Sequence, residues 1–218
     1  MFGRPGNSEP WGVQLDGHHL AVNVTVVDSR VTVTPAFLGA EPAIIPSGHH
    51  AGWEVLGGES EKGFALRNSL TPAQTRVAVL AESIPEGIFT GPGRDDALKN
   101  PAGVAALSGR QRDLLESLIE EYLGNIPAEI ARAYRAGIQK VGFGELHFAW
   151  MGPAEMGKPA YYRVHGPSLL IEYENMMPLS PASGKDANHI HTVLRIPGND
   201  FGGDWLQQHH KQNSHTRN

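Results

Sequence analysis

The 218 residues contain no cysteine. That removes disulfides, thiolate metal ligands and a cysteine nucleophile together, and leaves the redox compartment undetermined. No apolar run approaches the roughly 20 residues a membrane helix needs, so no membrane partner is expected. The opening Met1-Phe2-Gly3-Arg4-Pro5-Gly6 has no apolar signal core. A cytoplasmic location is the default, with secretion left open should a segment be missing upstream. Basic residues are in the minority, 18 Lys and Arg against 23 Asp and Glu. With a net charge of −5 no basic face is available to neutralise phosphates, and no nucleic-acid partner is expected. A serine nucleophile elbow, a phosphate-binding glycine loop and a dinucleotide fingerprint are also missing, so serine-triad hydrolysis and nucleotide chemistry have no support.

What is present is ordinary globular composition, 40% hydrophobic and 19% charged, enough for one sizeable core. Length favours a single domain over residues 1–218. The 26 glycines and 16 prolines predict many turns. The 11 histidines call for an explanation.

Residues 11–38 read as strands: alternation runs through His18 to Val26, Asp28-Ser29 is a turn, and Pro35 ends Val31-Thr32-Val33-Thr34. Residues 39–58, rich in glycine and proline, read as a loop. Residues 59–142 are mainly helical. Thr71-Pro72-Ala73-Gln74 and Ser108-Gly109-Arg110-Gln111 are capping-box starts. Leu114, Leu115, Leu118, Ile119, Tyr122 and Leu123 form a stripe at helical spacing, and Asn125 and Pro127 open a further helix. Residues 85–107 read as a loop or short helix. Residues 144–196 return to strands, at 144–151, 160–165, 168–174 and 189–195, and 207–218 form a polar tail expected to be mobile. Strands, helices and strands in this order predict an α+β fold. Its antiparallel sheet is built from the N- and C-terminal strands, with a central helical layer packed on one face.

On the strand His189-Ile190-His191 both imidazoles point the same way, which is what a divalent metal needs from one strand. The strand Leu169 to Glu174 puts Leu170, Glu172 and Glu174 on one face and Leu169, Ile171 and Tyr173 on the other. If the two strands pair through their apolar sides, His189, His191, Arg195, Glu172 and Glu174 gather on the opposite face. The alternative, a polar strand face that is merely solvated surface, carries equal weight. His18 or His19 could complete the ligand set, and alternation favours His19 on the polar side. His147 reads as a buried, hydrogen-bonded histidine. Tyr161 and Arg163 share a face that suits an anionic or hydroxylated ligand, with equal weight on Arg163 simply pairing with a carboxylate of the sheet. His49, His50, His209, His210 and His215 read as surface residues. Asp200 could orient a histidine, and Asp204 could cap the last helix.

Several strings recur in an order found elsewhere: Trp11-Gly12-Val13-Gln14-Leu15-Asp16-Gly17-His18-His19-Leu20, Thr34-Pro35-Ala36-Phe37-Leu38-Gly39-Ala40, His147-Phe148-Ala149-Trp150, Tyr161-Tyr162-Arg163, Ile171-Glu172-Tyr173-Glu174-Asn175, Asn188-His189-Ile190-His191 and Asp200-Phe201-Gly202. Over nearly its whole length the chain resembles the family labelled domain of unknown function 3500. The resemblance implies that His18, His19, His147, Tyr162, Arg163, Glu172, His189 and His191 belong to recurrent motifs, and it brings no activity with it. Members are usually longer, with a helical segment upstream of Trp-Gly, which would make this chain a short or truncated member. Where the family has Trp-Arg-Asp-Pro after the His-x-His strand, this chain has Leu194-Arg195-Ile196-Pro197, so position 196 carries no catalytic weight.

The reading is a metal-dependent enzyme acting on a small polar substrate, oxidoreductase or hydrolase. His189, His191 and Glu172 are ligands, with His19 or His18 completing the set, for Fe, Zn, Cu or Mn. Tyr162, Arg163 and Glu174 are the catalytic candidates. The rival is a non-catalytic module that binds a small molecule or a protein on the same face. Nothing demands an oligomer, and a homodimer stays open.

Overall fold

Alternation at the two ends of the chain and helical spacing in its middle produce one sheet and one helical layer in the computed structural model, which describes residues 1–6, 9–88 and 101–212. The strands are β1 (Trp11–Asp16), β2 (Leu20–Val27), β3 (Arg30–Thr32), β4 (Ala36–Ala40), β5 (Val79–Ala81), β6 (His147–Met151), β7 (Ala160–Gly166), β8 (Leu169–Met176) and β9 (His189–Arg195). The helices are α1 (Gly57–Asn68), α2 (Pro72–Ala78), α3 (Gly109–Gly124), α4 (Ala128–Val141) and α5 (Gly203–Gln212). The strand order is β1-β2-β4-β9-β8-β7-β6-β5, with β3 paired to β2. The protein is thus α+β, with a sheet that joins the two ends of the chain through the β4–β9 pair. Among the described residues every strand pairing is antiparallel but one: the edge strand β5, not anticipated from sequence, runs parallel to β6.

One sheet face carries Phe148, Trp150, Tyr162, Val164, Leu169, Ile171, Tyr173, Ile190 and Leu194. They form a single apolar cluster with Phe64 and Leu66 of α1, Leu115, Leu118, Ile119, Tyr122 and Leu123 of α3, and Ile138 of α4. Both expected capping boxes form, at Thr71 and Ser108. They are tied together by the side-chain amides of Gln74 and Gln111, which bond each other at 2.9 Å. α1 had no such signal. Its first residues fall inside the stretch read as a loop, it starts after Leu56 in a left-handed conformation (φ 61°), and no side chain caps it. Gly63 lets α1 lie directly on the sheet, because a Cβ there would meet the Tyr162 ring at 2.3 Å.

Of the 85–107 connection, residues 89–100 lie outside the described residues, as do His215 and the rest of 213–218. The part of the expected tail at 207–212 belongs to α5. There His209, expected at the surface, is buried with its Nδ1 3.1 Å from Asp28 Oδ1. Among the described residues no helix is long and apolar enough to cross a membrane.

Candidate metal centre

Three segments meet where β4 is sandwiched between β2 and β9. The turn between β1 and β2 is closed by Gly17 N–H donating to Leu20 O at 2.6 Å, and it is pinned to β4 by Gly39 N–H donating to His19 O at 2.8 Å. β9 lies on the other side of β4, with Gly39 opposite His191. Because Gly39 has no side chain, two imidazoles can close over it: a Cβ there would lie 2.9 Å from His19 Cδ2 and 3.0 Å from His191 Cδ2.

The result is a histidine cluster. One ring nitrogen from each of His18, His19 and His189 falls within 4.8 Å of the others. His191 stands beside them, its ring centroid 4.5 Å from that of His189 and 5.4 Å from that of His19. The sequence reading left His18 and His19 as alternatives. The structure brings both, since they lie in the turn ahead of β2, where strand alternation does not apply. His19 Nε2 and His189 Nε2 are 3.0 Å apart. Two bare lone pairs cannot sit that close, so either a proton or a cation lies between them. Two imidazole nitrogens bound at 2.0–2.1 Å to one ion, at angles between square and tetrahedral, are about 2.9–3.4 Å apart. These residues therefore could hold a metal ion.

The electrostatics favour the ligand form of the rings. Burial, then the neighbouring His18, His189 and His191, pushes His19 below its ordinary value, and Glu41 opposes the shift. Burial, then His191, does the same for His189, again against Glu41. Both shifts favour the neutral imidazole, which is the form that ligates a metal.

Two carboxylates stand behind the rings. Glu174, opposite His191 in the β8–β9 register, has an oxygen 3.5 Å from His191 Nδ1. It is fully buried, and among the described residues neither oxygen accepts a hydrogen bond. A buried carboxylate without donors is costly unless positive charge lies near it. Glu41, which the sequence reading did not single out, has Oε2 3.4 Å from His189 Nδ1. Its Oε1 accepts from Ser180 N–H at 2.8 Å and Ser183 Oγ at 3.4 Å, bonds that hold its carboxyl below the usual range, Ser180 most strongly. No spacing rule picks out Glu41, which lies in the glycine- and proline-rich stretch after β4.

The remaining candidates are placed elsewhere. Glu172, expected as the carboxylate ligand, is opposite Val193 rather than a histidine, and it accepts the Tyr161 hydroxyl at 2.6 Å. Register, not face, takes it out of the cluster. Arg163 lies across from Glu172 on the same sheet face and is buried. Tyr162 is on the other face. Its hydroxyl donates to Glu59 O at 2.9 Å and meets Tyr122 Oη at 2.8 Å inside the helical layer, so it has no part in the cluster. His147 pairs with His165 across β6 and β7, away from β9. Asp200 accepts from Arg195 Nε at 2.7 Å and from Ile196 N–H at 3.1 Å, and among the described residues no histidine bond to it is seen. The thought that the polar face is solvated surface does not hold either, since Glu172, Glu174 and His189 are at most 1% exposed.

The fold and this cluster define an α+β protein with a histidine group that could bind a metal. The chain belongs to the family described as protein of unknown function (DUF3500), which matches residues 1–203. No curated protein and no solved structure matches it.

Proposed function

We propose that the protein is a metal-dependent enzyme acting on a small polar substrate, with His18, His19 and His189 as ligands. The observation that carries this reading is the convergence of these three ring nitrogens within 4.8 Å. The donor set fits such an ion. Imidazoles suit zinc, copper and iron, burial shifts His19 and His189 toward the neutral form, and the Glu174 carboxylate beside His191 lies where a cation would offset its burial. When bound, the ion supplies Lewis acidity or activates water or dioxygen, which serves a hydrolase or an oxidoreductase. The chain's own groups divide the other work. His18 is exposed while His189 is buried, so a substrate reaches the site from the His18 side. Glu174 stands beside His191 as a base. The row of Tyr161, Glu172 and Arg163 continues the polar face from Glu174 into the sheet.

Metal analysis of protein purified without a histidine tag tests the reading. About one transition-metal ion per chain is expected, and a metal-free protein that takes up none on titration would sink it. Gly39→Ala probes the geometry. The added methyl group has to displace the His19 and His191 rings or the Ile190 carbonyl, which a Cβ would approach to 2.8 Å. Metal affinity is expected to fall about 10–100-fold, as when the support of a ligand is lost. An unchanged zinc competition curve would mean that the rings over Gly39 do not hold the ion.

A further inference from the structure

We infer that Glu41 is a positioning residue that fixes the tautomer of His189 and so aims its Nε2 lone pair into the histidine cluster, an assignment that rests on the metal reading for its effect on binding. A neutral imidazole carries one N–H and one lone pair, and what the first nitrogen bonds to decides which nitrogen is left to bind a metal. Among the described residues His189 Nδ1 makes no hydrogen bond, and the group facing it is Glu41 Oε2, 3.4 Å away. A carboxylate can only accept there, so the proton belongs on Nδ1 and the lone pair on Nε2. That Nε2 is the atom 3.0 Å from His19 Nε2. The 3.4 Å spacing is long for a hydrogen bond, as such contacts often are before the partner is bound.

Glu41 is not free to turn away. Its other oxygen is held by the backbone of Ser180 and the hydroxyl of Ser183, both in the loop joining β8 to β9. That loop is itself tied down by Asn188, whose amide donates to Ser183 O at 2.7 Å and Ile44 O at 3.0 Å and accepts from Ile44 N–H at 2.6 Å. The carboxylate thus bridges this hydrogen-bonded loop and the most buried ligand of the cluster.

The isosteric Glu41→Gln separates this role from a merely structural one. Its amide oxygen can still accept from Ser180, which leaves the NH2 group facing His189 Nδ1. An NH2 group donates, so the ring proton has to move to Nε2 and cover the lone pair. Nitrogen-15 NMR of the metal-free protein reads the tautomer directly, and competition with a zinc chelator reads the affinity. In wild type the Nδ1–H form of His189 is expected. In Glu41→Gln the Nε2–H form is expected, with zinc affinity lowered about 10–100-fold. An Nε2–H ring in wild type overturns the assignment, as does a variant with unchanged tautomer and affinity. Should the variant not fold, the wild-type tautomer decides alone. A wild type that binds no zinc defeats the metal reading, while the tautomer comparison still decides the role of Glu41.

Discussion

Replacing Tyr162 with alanine is expected to lower the free energy of unfolding by about 3–5 kcal/mol, a large part of the roughly 5–15 kcal/mol that a folded chain has in total. The Tyr162 ring is fully buried. It stacks on Tyr173 at 4.7 Å with an interplanar angle of 5°, lies near-parallel to Trp150 at 6.3 Å, and fills the notch that Gly63 leaves in α1. Alanine would leave a cavity between sheet and helices that the aromatic neighbours cannot close. Tyr162→Phe isolates the hydroxyl. That group spends its one hydrogen on Glu59 O, so Tyr122 is the donor in the 2.8 Å contact between the two hydroxyls. Losing it leaves a buried carbonyl and a buried donor unmet, for a cost of about 1–3 kcal/mol. Urea denaturation measures both. The phenylalanine variant should keep the metal content of wild type. If it loses the metal with its stability intact, Tyr162 serves the site after all, whereas an alanine variant within 1 kcal/mol of wild type would show that the stack contributes little.

That Tyr162 is a core residue was already legible in the sequence. Alternation sorts Tyr162 with Val164, away from Tyr161 and Arg163, so the string Tyr161-Tyr162-Arg163 divides between the two faces of the sheet. The histidines show the opposite case. His189 and His191 are readable as a pair because they stand two apart on a strand with apolar Ile190 and Leu194 on its other face. The same alternation put Glu172 and Glu174 on the histidine side, but it could not choose between them. Period-two spacing fixes a face and leaves the register open in steps of two. The register is set by the loop between β8 and β9, where Asn188 and Asn175 anchor the start of β9 through long-range bonds. It places Glu174 against His191. Glu41 escaped, and His18 could not be told from His19, for a related reason: both Glu41 and His18 sit outside regular elements, where no periodicity tells which way a side chain points. The cluster they join exists only because β4 brings the N-terminal turn up against β9.

Metal should stabilise the protein far more than any surface contact does, and the size of that effect tests the ligand set. An ion that binds only the folded chain adds about 4 kcal/mol at a free concentration near 1,000 times its Kd. For a chain of this length each kcal/mol is worth about 2–4 °C in Tm, so a rise of about 8–16 °C is expected on adding the preferred metal, reversed by a chelator. His19→Ala plus His189→Ala removes two of the three converging nitrogens, and the rise should then fall to about 2 °C or less. The metal-free scans are best compared above pH 6.5, the ordinary value of a histidine. His19 and His189 are pushed below it in the folded state, so the unfolded chain takes up protons first as pH falls through 6.5, and stability is lost in that window even without metal. The double variant lacks both groups and should lose less there. A Tm rise of equal size in wild type and double variant would place the ion elsewhere. A pH dependence unaffected by the substitutions would mean that burial does not push the two rings below their ordinary value.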